Sequence, residues 1–101
     1  MDLTVSVVFI VKQAWGRWNM RSEQEVVNAI EIYSDMVLRL CMVYLKNESD
    51  TEDVFQTVFL KYALHTQPFE NAEHEKAWLI KVTVNACKNL IKDAWVRSSP
   101  L

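Results

Sequence analysis

With one glycine and two prolines among 101 residues, half of them hydrophobic, this chain has almost nothing to turn with. Strands need frequent reversals built on Gly, Asn, Asp or Pro, whereas helices store many residues between turns. The sequence therefore favours a few long helices, and its length suits one small domain with a modest core.

Helical phasing is clear from Ser22 onward. Ser22-Glu23-Gln24-Glu25 has the form of a capping box, in which Ser22 bonds a first-turn amide and Glu25 reaches back. Val26, Ile30, Tyr33, Val37, Leu40, Cys41 and Tyr44 follow at helical spacing, predicting a helix to about Lys46. Asn47-Glu48-Ser49 makes a short turn, and Ser49-Asp50-Thr51-Glu52 reads as a second capping box opening a helix over about 50–64. That helix has a narrow apolar arc, Val54, Phe55, Val58, Phe59 and Tyr62. Its opposite side carries Asp53, Gln56, Thr57, Leu60 and Leu64. Leucines on a face turned to water read either as a protein-binding surface or as isolated exposed side chains. Pro68 breaks the pattern, and a third helix starts near Ala72 or Glu73 and continues to about Trp95. Glu73 and Glu75 in its first turn suit the macrodipole.

The first nineteen residues are ambiguous. Leu3, Val5, Val7, Phe9 and Val11 alternate with Thr4, Ser6, Val8 and Ile10, a β-like pattern, followed by Trp15, Gly16, Arg17 and Trp18. A strand, an added helix and a disordered extension all remain open. The run is too short to span a bilayer, and its acidic start makes a poor signal peptide. Cys41 and Cys87 have no ligand-like neighbours and read as a reduced pair. A cytoplasmic protein with no membrane insertion is the expectation.

Charge is unevenly spread along a chain of net charge −2. Residues 48–53 hold Glu48, Asp50, Glu52 and Asp53 with no cation, and residues 76–97 hold Lys76, Lys81, Lys88, Lys92 and Arg97 against Asp93. One end of the domain should be acidic and the other basic, which suits two different macromolecular partners. At 100° per residue, Lys81, Asn85, Lys88, Asn89 and Lys92 share one face of the third helix, with Trp78 at its border. Leu79, Val82, Ala86 and Leu90 share another. A cationic stripe edged by an indole can hold phosphates and stack a base. By pattern alone it reads first as the solvated face of a core helix.

Catalytic chemistry finds little support. His65 and His74 are the only histidines, set across a proline-containing loop with no cysteine near enough for a metal set. There is no glycine-rich phosphate loop and no nucleophile elbow, so neither an enzyme nor a cofactor is expected.

Asp53-Val54-Phe55-Gln56-Thr57-Val58-Phe59-Leu60-Lys61, then Phe69, then Trp78-Leu79, Val82 and Asn85 resemble region 2 of the sigma-70 superfamily, above all that of the extracytoplasmic-function (ECF) sigma factors. The likeness covers about residues 30–97 in order and spacing. It implies an all-α domain of three main helices over residues 20–97, with residues 1–19 as an extension and 98–101 as a tail. It further implies docking on the β′ coiled coil of core RNA polymerase through Asp53, Gln56, Phe59 and Leu60. The helical projection places Phe59 nearer the core, so a supporting role is expected there. The −10 promoter element, with a flipped base of the non-template strand, would lie on the loop from about Thr66 to Glu75 and on the face of the third helix. Phe69, Trp78, Lys81, Asn85, Lys88 and Lys92 are the implied DNA-binding residues, with Asn85 either bonding a base edge or capping the loop.

Asn89 and Lys92 depart from the Asp and Arg frequent in the family. A lysine offers a point charge in place of a bidentate guanidinium. Trp78, Lys81 and Asn85 therefore carry the stronger case. Nothing after Lys92 could supply the helix-turn-helix domain that reads the −35 element, and the sequence reads as region 2 alone. An anti-sigma protein covering the Leu60 and Lys81 faces is a further implied partner. The rival expectation is a helical interaction module, oligomerising through Leu60 and Leu64 without a DNA role.

Overall fold

A computed structural model describes residues 3–14, 17 and 19–98. It is all-α, with helices α1 (Leu3–Ala14), α2 (Glu23–Leu45), α3 (Glu48–Leu64) and α4 (Ala72–Ser98). Trp15, Gly16, Trp18 and residues 99–101 lie outside the described residues, and α4 already includes Ser98 of the expected tail. Short connections at residues 46–47 and 65–71 return α3 beside α2 and α4 beside α3. The α2–α3 pair is central, and α1 and α4 each pack against both of its members.

The ambiguous leader contributes a fourth helix rather than a strand. The β-like alternation also contains an i, i+4 pair, Val7 and Val11, and both are fully buried. Leu3 packs beside them, while Val5 and Phe9 face outward. Burial against α2 and α3 outweighs the modest β preference of valine, which is itself mostly a packing preference.

The start of α2 follows the local code. Ser22 Oγ accepts the Glu25 amide hydrogen at 3.1 Å, and Glu25 Oε1 accepts from the Ser22 amide at 3.4 Å. The start of α3 does not follow the expected one. Asn47, not Ser49, is the N-cap: its Oδ1 accepts from the Asp50 amide at 2.8 Å, and its Nδ2 donates to Asp50 Oδ2 at 2.8 Å. Ser49 is already helical, so the second capping box is two residues too late. Lys46 ends α2 at φ 58, and the left-handed residue turns the chain into α3 at once.

Val26, Ile30, Tyr33, Val37, Cys41, Val54, Phe55, Val58, Phe59, Tyr62 and Leu79 form the core with α1. Leu40 is only half-buried, and Cys41 takes its place. On α4 the buried line is Leu79, Thr83 and Cys87, whereas Val82, Ala86 and Leu90 sit half-buried at its edge. Thr83 is tolerated there because its hydroxyl donates to the Leu79 carbonyl at 2.7 Å, satisfying the buried oxygen locally.

Candidate nucleic-acid interface

The end of α3 and the start of α4 converge on an aromatic cluster around the loop of residues 65–71. Tyr62, on the last turn of α3, stacks with Phe69 at 6.2 Å between ring centroids and meets Trp78 edge-on at 6.2 Å. His65 lies 4.7 Å from the Trp78 ring and 5.3 Å from Phe69, and Phe69 lies 5.7 Å from Trp78. Phe69 and Trp78 are half-buried, so each keeps part of its ring open to solvent.

Asn71 caps α4. Its Oδ1 accepts from the His74 amide at 2.8 Å, while His74 Nδ1 accepts from the Glu70 amide at 3.1 Å. His74 is thus a loop fastener. Asn85 is exposed and about 20 Å along the helix from Ala72, too far from the loop to cap it.

Two carboxylate-centred groups fix the surroundings. Glu75 accepts from the hydroxyls of Tyr33 at 3.0 Å and Tyr62 at 2.7 Å, joining α2, α3 and α4. Burial, reinforced by those hydrogen bonds, raises both phenols above their ordinary range, so they stay protonated donors. Arg21, before α2, bonds Glu25 Oε2 at 3.1 Å and lies over the rings of Tyr62 and Phe69 at 4.7 and 5.0 Å. Between these groups opens a cleft of about 430 Å³ lined by Arg21, Glu25, Tyr62, Pro68, Phe69 and Glu75, among others.

Lys81, Asn85, Lys88 and Lys92 are all exposed along one side of α4, continuous with the Trp78 end of the cluster. On α3, Asp53 is exposed, and Gln56 and Leu60 are half-buried. Phe59 is wholly buried, with its ring 4.8 Å from Phe55, and so it supports the α3 surface from beneath. The acidic and basic segments do not occupy opposite ends. Asp50 shares a surface concavity with Leu90, Ile91 and Trp95, because antiparallel packing brings the first turn of α3 beside the last turns of α4.

A family model described as sigma-70 region 2 matches residues 29–97. The chain belongs to the sigma-70 region 2 family. Comparison with curated proteins and with solved structures gave no match. Region 2 is a transcription-initiation domain, not a catalytic one, and it serves RNA polymerase binding and promoter recognition. Among the described residues, no helix is long and apolar enough to cross a membrane.

Arg21, Glu25, Asn71 and the Glu75 clamp on Tyr33 and Tyr62 were not legible as site residues. Arg21 bonds carbonyls 41 and 46 positions away, and no local spacing signals such a contact. For Asn71 a signal exists: an Asn directly before a helix start, three residues ahead of a side chain able to reach back.

Proposed function

We propose that this is the region 2 domain of an extracytoplasmic-function sigma factor, which docks on core RNA polymerase and recognises and melts the −10 element. The face of α3 that carries Asp53, Gln56 and Leu60 meets the β′ coiled coil. The loop of residues 65–71 receives a flipped base of the non-template strand, and Trp78, Lys81, Asn85, Lys88 and Lys92 follow its backbone. A cytoplasmic location and occlusion of the same faces by an anti-sigma protein belong to the same reading.

The observation that carries it is the half-open aromatic cluster of Phe69 and Trp78, next to a cleft and continuous with the lysine face of α4. Unstacking a base costs a few kcal/mol, which aromatic surface and charge-assisted contacts offset when the base leaves the duplex. The cleft falls within the range of small-ligand pockets, about 300–1,000 Å³.

The test is anisotropy of a labelled single-stranded −10-like oligonucleotide at low salt, together with capture of the β′ coiled coil. Saturable DNA binding that weakens with salt, with β′ capture, supports the proposal. Absence of both removes it. Leu64, 52% exposed at the end of α3, favours a second reading as an interaction module. Self-association lost in a Leu64→Ser variant, without DNA binding, would select that one.

A further inference from the structure

We infer that Arg21 is a positioning residue that holds the loop of residues 65–71 in its DNA-receiving shape; this rests on the nucleic-acid reading of the cleft. Arg21 lies outside residues 29–97, the part matched to the family, and its own geometry makes the case. Its backbone amide donates to the Ala63 carbonyl at 2.8 Å, and its Nε donates to the Tyr62 carbonyl at 3.2 Å. Both acceptors belong to the last turn of α3, where carbonyls run short of helical partners and the helix end is partially negative. One terminal nitrogen of the guanidinium reaches the Gln67 carbonyl at 2.8 Å, in the middle of the loop. The other meets Glu25 Oε2 at 3.1 Å. The plane covers Tyr62 and Phe69, and the side chain is only 9% exposed.

One rigid fork thus spans three elements: the approach to α2, the end of α3, and the loop. A guanidinium can do this because its donors diverge in one plane, whereas an ammonium is a point donor without a stacking face. Two consequences follow for a strand entering the cleft. The Phe69 ring is already oriented by its contacts with the Arg21 guanidinium and the stacked Tyr62 ring, and the Gln67 backbone is tied down before binding. The ordering cost of the loop therefore falls on folding of the free protein rather than on capture of the DNA. Arg21 acts through Phe69 and the loop. Its guanidinium, nearly covered and already bonded on every side described, is not assigned a phosphate.

Arg21→Lys and Arg21→Gln test this in the same chain, measured below their melting temperatures. A labelled single-stranded −10-like oligonucleotide reports DNA binding, the β′ coiled coil serves as the second ligand, and circular dichroism follows folding. Both variants should keep helical content and β′ binding and lose about tenfold in DNA affinity. The slope of affinity against salt should stay unchanged, since no phosphate contact is lost. Wild-type affinity in both variants would overturn the assignment. A salt slope shallower by about one unit in Arg21→Gln alone would also overturn it, marking Arg21 as a direct phosphate contact. Parallel loss of DNA and β′ binding would reduce Arg21 to general scaffolding. If the wild-type chain binds no single-stranded DNA while still folded, the underlying reading fails, whatever the variants do.

Discussion

Tyr62 donates its phenolic hydrogen to Glu75 Oε2 across 2.7 Å, tying the last turn of α3 to the first turn of α4 and so fixing both ends of the intervening loop. Tyr33 adds a second donor from α2 at 3.0 Å, so one carboxylate secures three helices beside the aromatic cluster. Breaking these bonds leaves the Tyr62 phenol in want of an acceptor and Tyr33 with only the longer contact, 3.5 Å, to the Ala72 carbonyl. Glu75→Ala is expected to lower stability by roughly 2–4 kcal/mol, with Glu75→Gln retaining part of the loss. Urea unfolding followed by circular dichroism measures it, and a change within experimental scatter would mean that the clamp is not a significant support.

Alkaline stability tests the buried titratable groups. Burial, with the neighbouring Cys87 thiol, pushes Cys41 up to about 12 from an ordinary 9.0, and burial raises Cys87 as well. Burial and Glu75 raise Tyr33 and Tyr62 above their ordinary 10.0. All four groups hold their protons more tightly folded than unfolded. Their contribution is therefore fully present below the unfolded values and is lost as pH rises from there through the folded ones. Thermal scans should show a melting temperature insensitive to these groups up to about pH 9 and falling from there toward pH 12. In Cys41→Ala the fall should be less steep between pH 9 and 10, and an identical profile would contradict the thiol assignment.

The start of α3 offers a clean pair of substitutions. Asn47→Ala removes the side chain that accepts from the Asp50 amide, and should cost about 1 kcal/mol. Ser49→Ala, on an exposed helical position, should change stability by no more than about 0.5 kcal/mol. A reversed order would restore Ser49 as the cap.

On the opposite face of α3, Asp53→Ala and Gln56→Ala should each weaken binding to the β′ coiled coil while leaving helicity intact. A loss of about tenfold corresponds to roughly 1.4 kcal/mol. Titration of the labelled β′ fragment reads it, and full affinity in both variants would remove this face from the docking proposal.

For α4 the salt dependence is more telling than affinity alone. Lys88→Ala should weaken single-stranded DNA binding and shallow the slope of log affinity against log salt by about one unit. An unaltered slope would show that Lys88 meets no phosphate. The same measurement on Lys92→Ala ranks the two lysines along the face.

Much of the fold was legible because its signals are local. The Ser22 capping box, the apolar arc of Val54, Phe55, Val58, Phe59 and Tyr62, and the break at Pro68 each operate within a few residues, and each is realised. The exposed line of Lys81, Asn85, Lys88 and Lys92 was legible for the same reason: helical spacing alone groups it. The buried side of α4 was not. Projection gives a face but not its exact bearing, and contact with α2 and α3 turns the buried line onto Thr83 and Cys87, away from Val82 and Ala86.

The sequence by itself determined the all-α class, the principal helices and the face that carries the lysines, because helix period, caps and chain breakers are short-range properties of the chain. Tertiary structure alone decided that the Val7 and Val11 segment is a helix, that the acidic start of α3 neighbours the end of α4, and that Arg21 and Glu75 fasten the loop. Each of these depends on residues distant in the chain arriving at one place. Antiparallel packing and long-range hydrogen bonding set that meeting, and no periodicity within a single segment encodes it.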